Sequence, residues 1–132
     1  MSQAKAYIEV AERSLFASEG ALIKGIHEKA TFLGYHAFES AGGAFCTHRG
    51  VAYPRGHGGK IAKFVNESRR ERYALHVAQL AIAYGSLRNA VLYPAVSAGG
   101  SIIEPKNVIS NAQARRLIGR TETLVRKIKP GV

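Results

Sequence analysis

The sequence contains no aspartate, and all nine of its acidic residues are glutamates. Metal-dependent phosphoryl and nucleotidyl transfer is commonly built on clustered aspartates that hold the cation. The absence of aspartate therefore argues against this chemistry. We expect neither a bound metal ion nor another cofactor.

Cysteine is nearly absent as well, since Cys46 is the only one. A single thiol excludes an internal disulfide and any zinc site with several thiolates, and it suits a reducing compartment. We interpret Cys46 as a small buried residue. No window approaches the roughly 18 apolar residues of a membrane-spanning helix, and the charged N-terminal stretch has no signal-peptide core. These absences predict a cytoplasmic protein with no membrane association.

Positive charge is what the sequence has in excess. Its 132 residues are 46% hydrophobic, which is enough for one domain, 1–132, with a packed core. Nineteen Lys and Arg residues against nine Glu residues give a net charge of +10. Such a balance favours a polyanion, RNA or DNA, or an acidic protein as the partner. Charge alone does not choose among these partners.

Apolar residues recur at steps of three and four along most of the chain, which is the spacing of a helix face. The pattern predicts helices over about 3–24, 28–48, 70–92 and from Ser110 to near Pro130, with a short helix after the glycine-rich loop 49–59 and a second loop over 94–109. The last helix is expected to begin with a capping box of Ser110 and Gln113. The expected apolar faces of the first and last helices are Ala4, Ile8, Ala11, Leu15, Ser18 and Leu22, and Ala114, Leu117, Ile118, Thr121, Leu124, Val125 and Ile128. Gly42 and Gly43 lie inside the second helix, where we expect them to permit the close approach of another helix. No stretch alternates with period two. The predicted fold is an all-α, up-and-down bundle of four main helices plus one short helix.

Three segments carry a resemblance to a known family. They are FLGYHAFESA at 32–41, Gly56 with His57, and LRNAVLY at 87–93. In their order and spacing, they resemble the HEPN domain family (higher eukaryotes and prokaryotes nucleotide-binding). The resemblance implies a homodimeric helical bundle, a nucleotidyltransferase partner and a place in toxin-antitoxin systems. Many members resemble metal-independent ribonucleases, whose motif is an arginine followed, after four to six residues, by a histidine.

The motif is altered in this chain. Arg88 and Asn89 match its opening, but Tyr93 stands where the family's nucleases have histidine. A tyrosine is a poor general base near neutral pH, although it can donate a hydrogen bond to phosphate. We predict that Arg88, Asn89 and Tyr93 bind a phosphate. The alternative is that Arg88 pairs with Glu39 and only locks two helices together.

A second Arg and His pair lies upstream, where Arg69 or Arg70 precedes His76 with the same spacing. Seven residues is nearly two helical turns, so Arg69 and His76 are expected to share a helix face. We retain His76 as a catalytic candidate and interpret it first as a surface or interface residue. His57 is interpreted as an ordinary loop residue.

The C-terminal segment 105–132 has seven cations and only Glu122 as an acidic residue. Arg116, Arg120 and Lys127 are expected on one side of the last helix, available to a polyanion or an acidic partner. The resulting interpretation is a module that binds RNA or a protein partner. The alternative is a metal-independent ribonuclease with an altered site, Arg and Tyr or Arg and His.

Overall fold

The computed structural model describes all 132 residues and contains five helices. They are α1 (Gln3–Ile23), α2 (His27–His48), α3 (His57–Glu67), α4 (Ala74–Leu87) and α5 (Asn111–Ile128). The prediction of an all-α domain with four longer helices and one shorter helix is confirmed. No helix is both long and apolar enough to cross a membrane.

The first helix follows its sequence pattern closely. Its buried residues are the six predicted for its apolar face: Ala4, Ile8, Ala11, Leu15, Ser18 and Leu22. The Ser2 hydroxyl caps the helix by accepting a hydrogen bond from the Lys5 amide. After the helix ends, Gly25 adopts a φ of 77°, which reverses the chain within three residues and places α2 against α1.

Helix α2 lies at the centre of the fold, in contact with α1, α3 and α5. Its stretch from Ala37 to Cys46 is buried throughout. A Cβ at Gly42 would lie 2.7 Å from the Phe64 ring, and one at Gly43 would lie 2.7 Å from the Tyr7 ring. The expected close approach at these glycines is confirmed, as is the burial of Cys46. Burial raises the pKa of its thiol to about 11, so the thiol is protonated at neutral pH.

Helix α4 is shorter than predicted at both ends. Residues 68–73 form a turn between α3 and α4, so Arg69 and Arg70 do not lie on the helix that carries His76. The prediction that Arg69 and His76 share a helix face is therefore wrong. The other end stops at Leu87, and a turn over 88–92 follows in which Val91 remains buried. The apolar spacing in the sequence therefore extends past the end of the helix, because Val91 is buried although it lies in the turn.

The segment before α5 was predicted as a loop, and it contains a small hairpin. Strands β1 (Ala95–Val96) and β2 (Ile102–Ile103) pair antiparallel, and Gly100 adopts a φ of 85° in the turn between them. Only two residues per strand take part, too few for period two to be visible in the sequence. Helix α5 then begins with the predicted capping box of Ser110 and Gln113.

Candidate functional site: a basic groove and a buried carboxylate

Arg88 and its two predicted partners lie where α4 ends. Arg88 is the residue after the last turn of the helix and is half-buried, whereas Asn89 is exposed. Tyr93 is 65% exposed, and its hydroxyl makes no hydrogen bond within the chain. The short segment 88–93 therefore presents all three residues after the end of α4. The Tyr93 hydroxyl is therefore available for a hydrogen bond to a ligand.

The alternative role of Arg88, an ion pair with Glu39, is wrong. No oxygen of Glu39 lies within 4.0 Å of the Arg88 guanidinium, and the guanidinium carbon lies 5.8 Å from the centre of the Tyr35 ring. This is cation–π geometry, which leaves the guanidinium hydrogen-bond donors free for a ligand.

His76 lies in the first turn of α4, facing α5. Its Nε2 is buried and has no hydrogen-bond partner. Burial, together with the positive charges of Arg120 and Lys127, lowers the pKa of His76. Arg88 stands twelve positions further along, or about 18 Å at 1.5 Å per residue. The structure therefore groups His76 with the cations of α5 and separates it from Arg88.

A groove between α4 and α5 carries two of the predicted binding residues. It has a volume of about 520 Å³, and Arg116 and Arg120 line it together with Gln113 and Ser86. The remaining lining is apolar and consists of Ala83, Leu87, Val108, Ile109 and Leu117. Arg88 directly follows Leu87, so the turn at the end of α4 adjoins one end of this groove.

Three of the seven cations of the C-terminal segment pair with a carboxylate, and a fourth, Arg115, donates a hydrogen bond to the neutral side chain of Asn111. Arg126 pairs with Glu122, Lys129 lies 2.9 Å from Glu12, and Lys106 lies 3.2 Å from Glu104. The predicted binding residues Arg116, Arg120 and Lys127 have no carboxylate within 4.0 Å. Arg120 donates a hydrogen bond to the Gln79 side chain, which is neutral. The positive charge at the groove is therefore not neutralised by the chain itself.

The structure also assembles a cluster that the sequence analysis missed, around the carboxylate of Glu39 on α2. The hydroxyl of Tyr35 lies 2.5 Å from Oε2 of Glu39, and Nδ1 of His57 lies 2.7 Å from the same oxygen. Nζ of Lys60 lies 3.3 Å from Oε1. In addition, the hydroxyl of Tyr53 donates to the backbone carbonyl of Glu39 at 2.6 Å. Four side chains from α2, the following loop and α3 thus converge on one residue.

These contacts determine the charge of the carboxyl group. Burial opposes ionisation of Glu39, but the hydrogen bonds from Tyr35 and His57 and the charge of Lys60 outweigh it and lower the pKa of Glu39. An ionised carboxylate can only accept hydrogen bonds, so Nδ1 of His57 carries the proton. Nε2 is then the basic nitrogen of the neutral ring. The His57 side chain is 47% exposed, and Nε2 makes no hydrogen bond within the chain.

The interpretation of His57 as an ordinary loop residue is therefore wrong. His57 is the first residue of α3, because the helix begins within the glycine-rich stretch that the sequence analysis assigned to a loop. One signal pointed to this cluster: Tyr35 and Glu39 are four residues apart on a helix whose neighbouring positions are apolar. A glutamate in such a setting requires partners, but the sequence does not show which residues supply them.

No group of three or more His, Cys or Glu side chains lies close enough together to hold a metal ion. Comparisons of the chain with protein-family models, with curated proteins and with solved structures found no match.

Proposed function

We propose that this chain is a HEPN-like module that binds RNA along the groove between α4 and α5. The observation that carries the proposal is the pair of arginines, Arg116 and Arg120, on a groove with an apolar floor and without a neighbouring carboxylate. The guanidinium groups suit phosphate oxygens, and the floor formed by Leu87 and Leu117 suits the faces of bases. RNA is preferred over DNA because the sequence resembles the HEPN family.

Arg88, Asn89 and Tyr93 extend this surface beyond the end of α4. The guanidinium of Arg88 retains free donors, and the exposed ring of Tyr93 can stack on a base or donate its hydroxyl to a phosphate. Lys127, near His76, extends the positive charge in the direction of the N-terminal end of α4. The proposed surface therefore exceeds the length of the groove itself.

The test is the salt dependence of binding to a short single-stranded RNA, measured by fluorescence anisotropy. Each phosphate contact contributes about −0.7 to the slope of log K against log salt for a single strand. Replacing Arg116, Arg120 and Lys127 together with glutamine should make the slope shallower by about 2. Circular dichroism and thermal unfolding should remain as in the wild type, because all three side chains are exposed.

A matched control removes the same charge from the same end of the chain. Lys106, Arg126 and Lys129 replaced with glutamine also lose three charges, but these side chains already pair with Glu104, Glu122 and Glu12. Their salt slope should stay close to that of the wild type. Equal slopes in the two triple variants would mean that overall charge, and not the groove, drives binding, and the proposal would fail.

A protein partner is the second candidate, and the apolar part of the same groove favours it. The resemblance implies a nucleotidyltransferase in this role, and an acidic surface would complement Arg116 and Arg120. A comparison of the affinity for RNA with the affinity for heparin separates the two candidates. Weak RNA binding with the same affinity as for heparin would favour the protein partner, whereas RNA affinity well above that for heparin would favour RNA.

A further inference from the structure

The turn between α3 and α4 contributes to a second cationic pocket, apart from the groove. Arg49, Asn66, Glu67, Arg69 and Arg70 line this pocket, which has a volume of about 220 Å³. It is less than half as large as the groove, and no apolar residue lines it. The cationic pocket therefore does not suit an apolar side chain or the face of a base. It suits a compact and hydrophilic ligand.

The charges around the cationic pocket indicate the sign of that ligand. Glu67 is already paired with Lys63 at 3.6 Å, and Arg49 is paired with a glutamate of the turn at 3.3 Å. Arg69 and Arg70 are exposed, adjacent in the sequence and without a carboxylate within 4.0 Å. Two positive charges therefore remain unpaired at one pocket, where they repel each other. A bound anion relieves this repulsion.

Helix ends account for only part of this positive charge. The carbonyl groups at the C-terminal end of a helix carry a partial negative charge that favours a nearby cation. Arg49 caps the end of α2, and Arg69 directly follows the residue that caps α3. Arg70 lies one residue further along the turn. The backbone amides of Arg69 and Arg70 donate no hydrogen bond within the chain, so the turn offers a ligand two guanidinium groups and two amides.

We propose that the cationic pocket binds a phosphomonoester, a phosphate group attached to its carrier through one oxygen. Such a group has a charge of about −1.5 to −2 at neutral pH and three further oxygens that accept hydrogen bonds. Its charge matches the two unpaired arginines, and each guanidinium fork can bond to two of its oxygens. The side-chain amide of Asn66 is a further donor in the lining. A phosphodiester has one charge and two free oxygens, so it uses fewer of these donors.

Two sources of a phosphomonoester fit the place of the cationic pocket. Glu71, the partner of Arg49, also lines a cavity of about 500 Å³ together with Arg72, Tyr73 and Lys127. Lys127 belongs to the proposed RNA surface, so the terminal phosphate of a bound RNA is one source, and this source rests on the proposed function. A small phosphorylated molecule is the other source and is independent of RNA binding. The experiment has one arm for the pocket itself and one for its source.

The first arm measures the binding of methyl phosphate to the full chain by calorimetry at about pH 7.5, above the second pKa of a phosphate ester. Methyl phosphate should bind at one site per chain. Dimethyl phosphate, the matched diester, should bind at least about tenfold more weakly, because it lacks one charge and one acceptor oxygen. Replacing Arg69 and Arg70 together with glutamine should weaken methyl phosphate binding at least about tenfold. In the control variant, Arg13 and Lys24 are replaced with glutamine, which removes the same charge from exposed positions at α1 and should leave binding unchanged.

The second arm measures RNA affinity by fluorescence anisotropy. Strands with a 5′-phosphate or a 3′-phosphate are compared with the same strand ending in hydroxyl groups. A several-fold preference for a phosphorylated end, lost when Arg69 and Arg70 are replaced, would support the RNA end as the source. Equal affinities, with methyl phosphate binding retained, would support a small phosphorylated molecule. The variant with Arg116, Arg120 and Lys127 replaced should bind methyl phosphate as the wild type does, so a failure of RNA binding would overturn the proposed function and not the cationic pocket.

Three results would overturn the inference. They are no binding of methyl phosphate at millimolar concentration, equal binding of dimethyl phosphate, and unchanged binding in the variant that lacks Arg69 and Arg70. If this variant does not fold, the wild type decides. The backbone amide resonances of Arg69 and Arg70 must then shift when methyl phosphate is added, and unchanged resonances would overturn the inference.

Discussion

Nδ1 of His57 and Oε2 of Glu39 lie 2.7 Å apart, although the two residues are eighteen positions apart in the sequence. The contact joins the first residue of α3 to the middle of α2, and it also sets which nitrogen of the imidazole is basic. One hydrogen bond thus contributes to packing and to the chemistry of an exposed side chain.

Removing the carboxylate should destabilise the fold. Glu39→Ala leaves the Tyr35 hydroxyl without its acceptor and Lys60 without its counter-ion, so the free energy of unfolding should fall by about 3 kcal/mol. Urea unfolding measures this change. Glu9→Ala, at an exposed position of α1 with no ion pair, is the control and should change stability by less than about 0.5 kcal/mol. Similar losses in both variants would show that the Glu39 cluster does not stabilise the fold.

Arg88→Ala should affect binding more than stability. The guanidinium contacts Tyr35 only through its ring, so its loss should cost about 1 kcal/mol or less, while RNA affinity should fall several-fold. Anisotropy and thermal unfolding measure the two effects. Arg49 is the control because it also lies over an aromatic ring, that of Phe45 at 5.2 Å, at the far end of α2, and it pairs in addition with Glu71 at 3.3 Å. Arg49→Ala should lower stability and leave RNA affinity unchanged, and the opposite pattern would place the binding surface at Arg49.

His76 should make the fold sensitive to mild acid. Burial and the charges of Arg120 and Lys127 lower its pKa in the folded state, whereas the unfolded chain has the ordinary value of 6.5. Below that value the unfolded chain binds more protons, so stability should fall as the pH drops. Glu39 does not contribute in this window, because its pKa lies below the ordinary value of 4.5. Thermal unfolding between about pH 7.5 and pH 5.5 measures the effect.

His76→Gln should flatten this pH dependence, since glutamine does not titrate. His36→Gln is the control, because His36 is exposed on α2 and should leave the dependence as it is. A wild-type midpoint that does not change over this range would contradict the role assigned to His76.

Alanine substitutions at two helical glycines should act in opposite directions. A Cβ at Gly43 would lie 2.7 Å from the Tyr7 ring, so Gly43→Ala should destabilise the fold by about 1 to 3 kcal/mol. A Cβ at Gly119 would meet nothing within 4 Å, so Gly119→Ala should stabilise α5 by about 1 kcal/mol through helix propensity. Chemical unfolding compares the two. A stabilised Gly43→Ala variant would mean that α1 does not pack this closely on α2.

We also predict a homodimer that uses the outer face of α4. Leu75 and Ile82 are 70% and 78% exposed and lie two turns apart on this helix. Light scattering should give the mass of two chains, and Ile82→Glu should give the mass of one. Phe16→Glu on α1, where the side chain is 80% exposed, should leave the mass unchanged. If Phe16→Glu gave the mass of one chain and Ile82→Glu did not, the dimer interface would lie on α1 and not on α4.

Helix content and the buried faces of α1 and α5 could be read from the sequence alone. Apolar residues at steps of three and four permit one helix face to be buried, and the buried residues of α5 are those predicted, from Ala114 to Ile128. The capping box at Ser110 is equally local, since both of its hydrogen bonds span three residues. Local rules succeeded here because the interactions that fix these features lie within one or two turns.

The tertiary structure alone decided which polar groups meet. Glu39 and His57 are brought together by the packing of α3 on α2, and Arg88 reaches Tyr35 from α4. These contacts depend on distances between helices, and a residue pattern along one helix does not encode them. For the same reason the sequence suggested Glu39 as the partner of Arg88, while in the folded chain the buried carboxylate is already surrounded by Tyr35, His57 and Lys60.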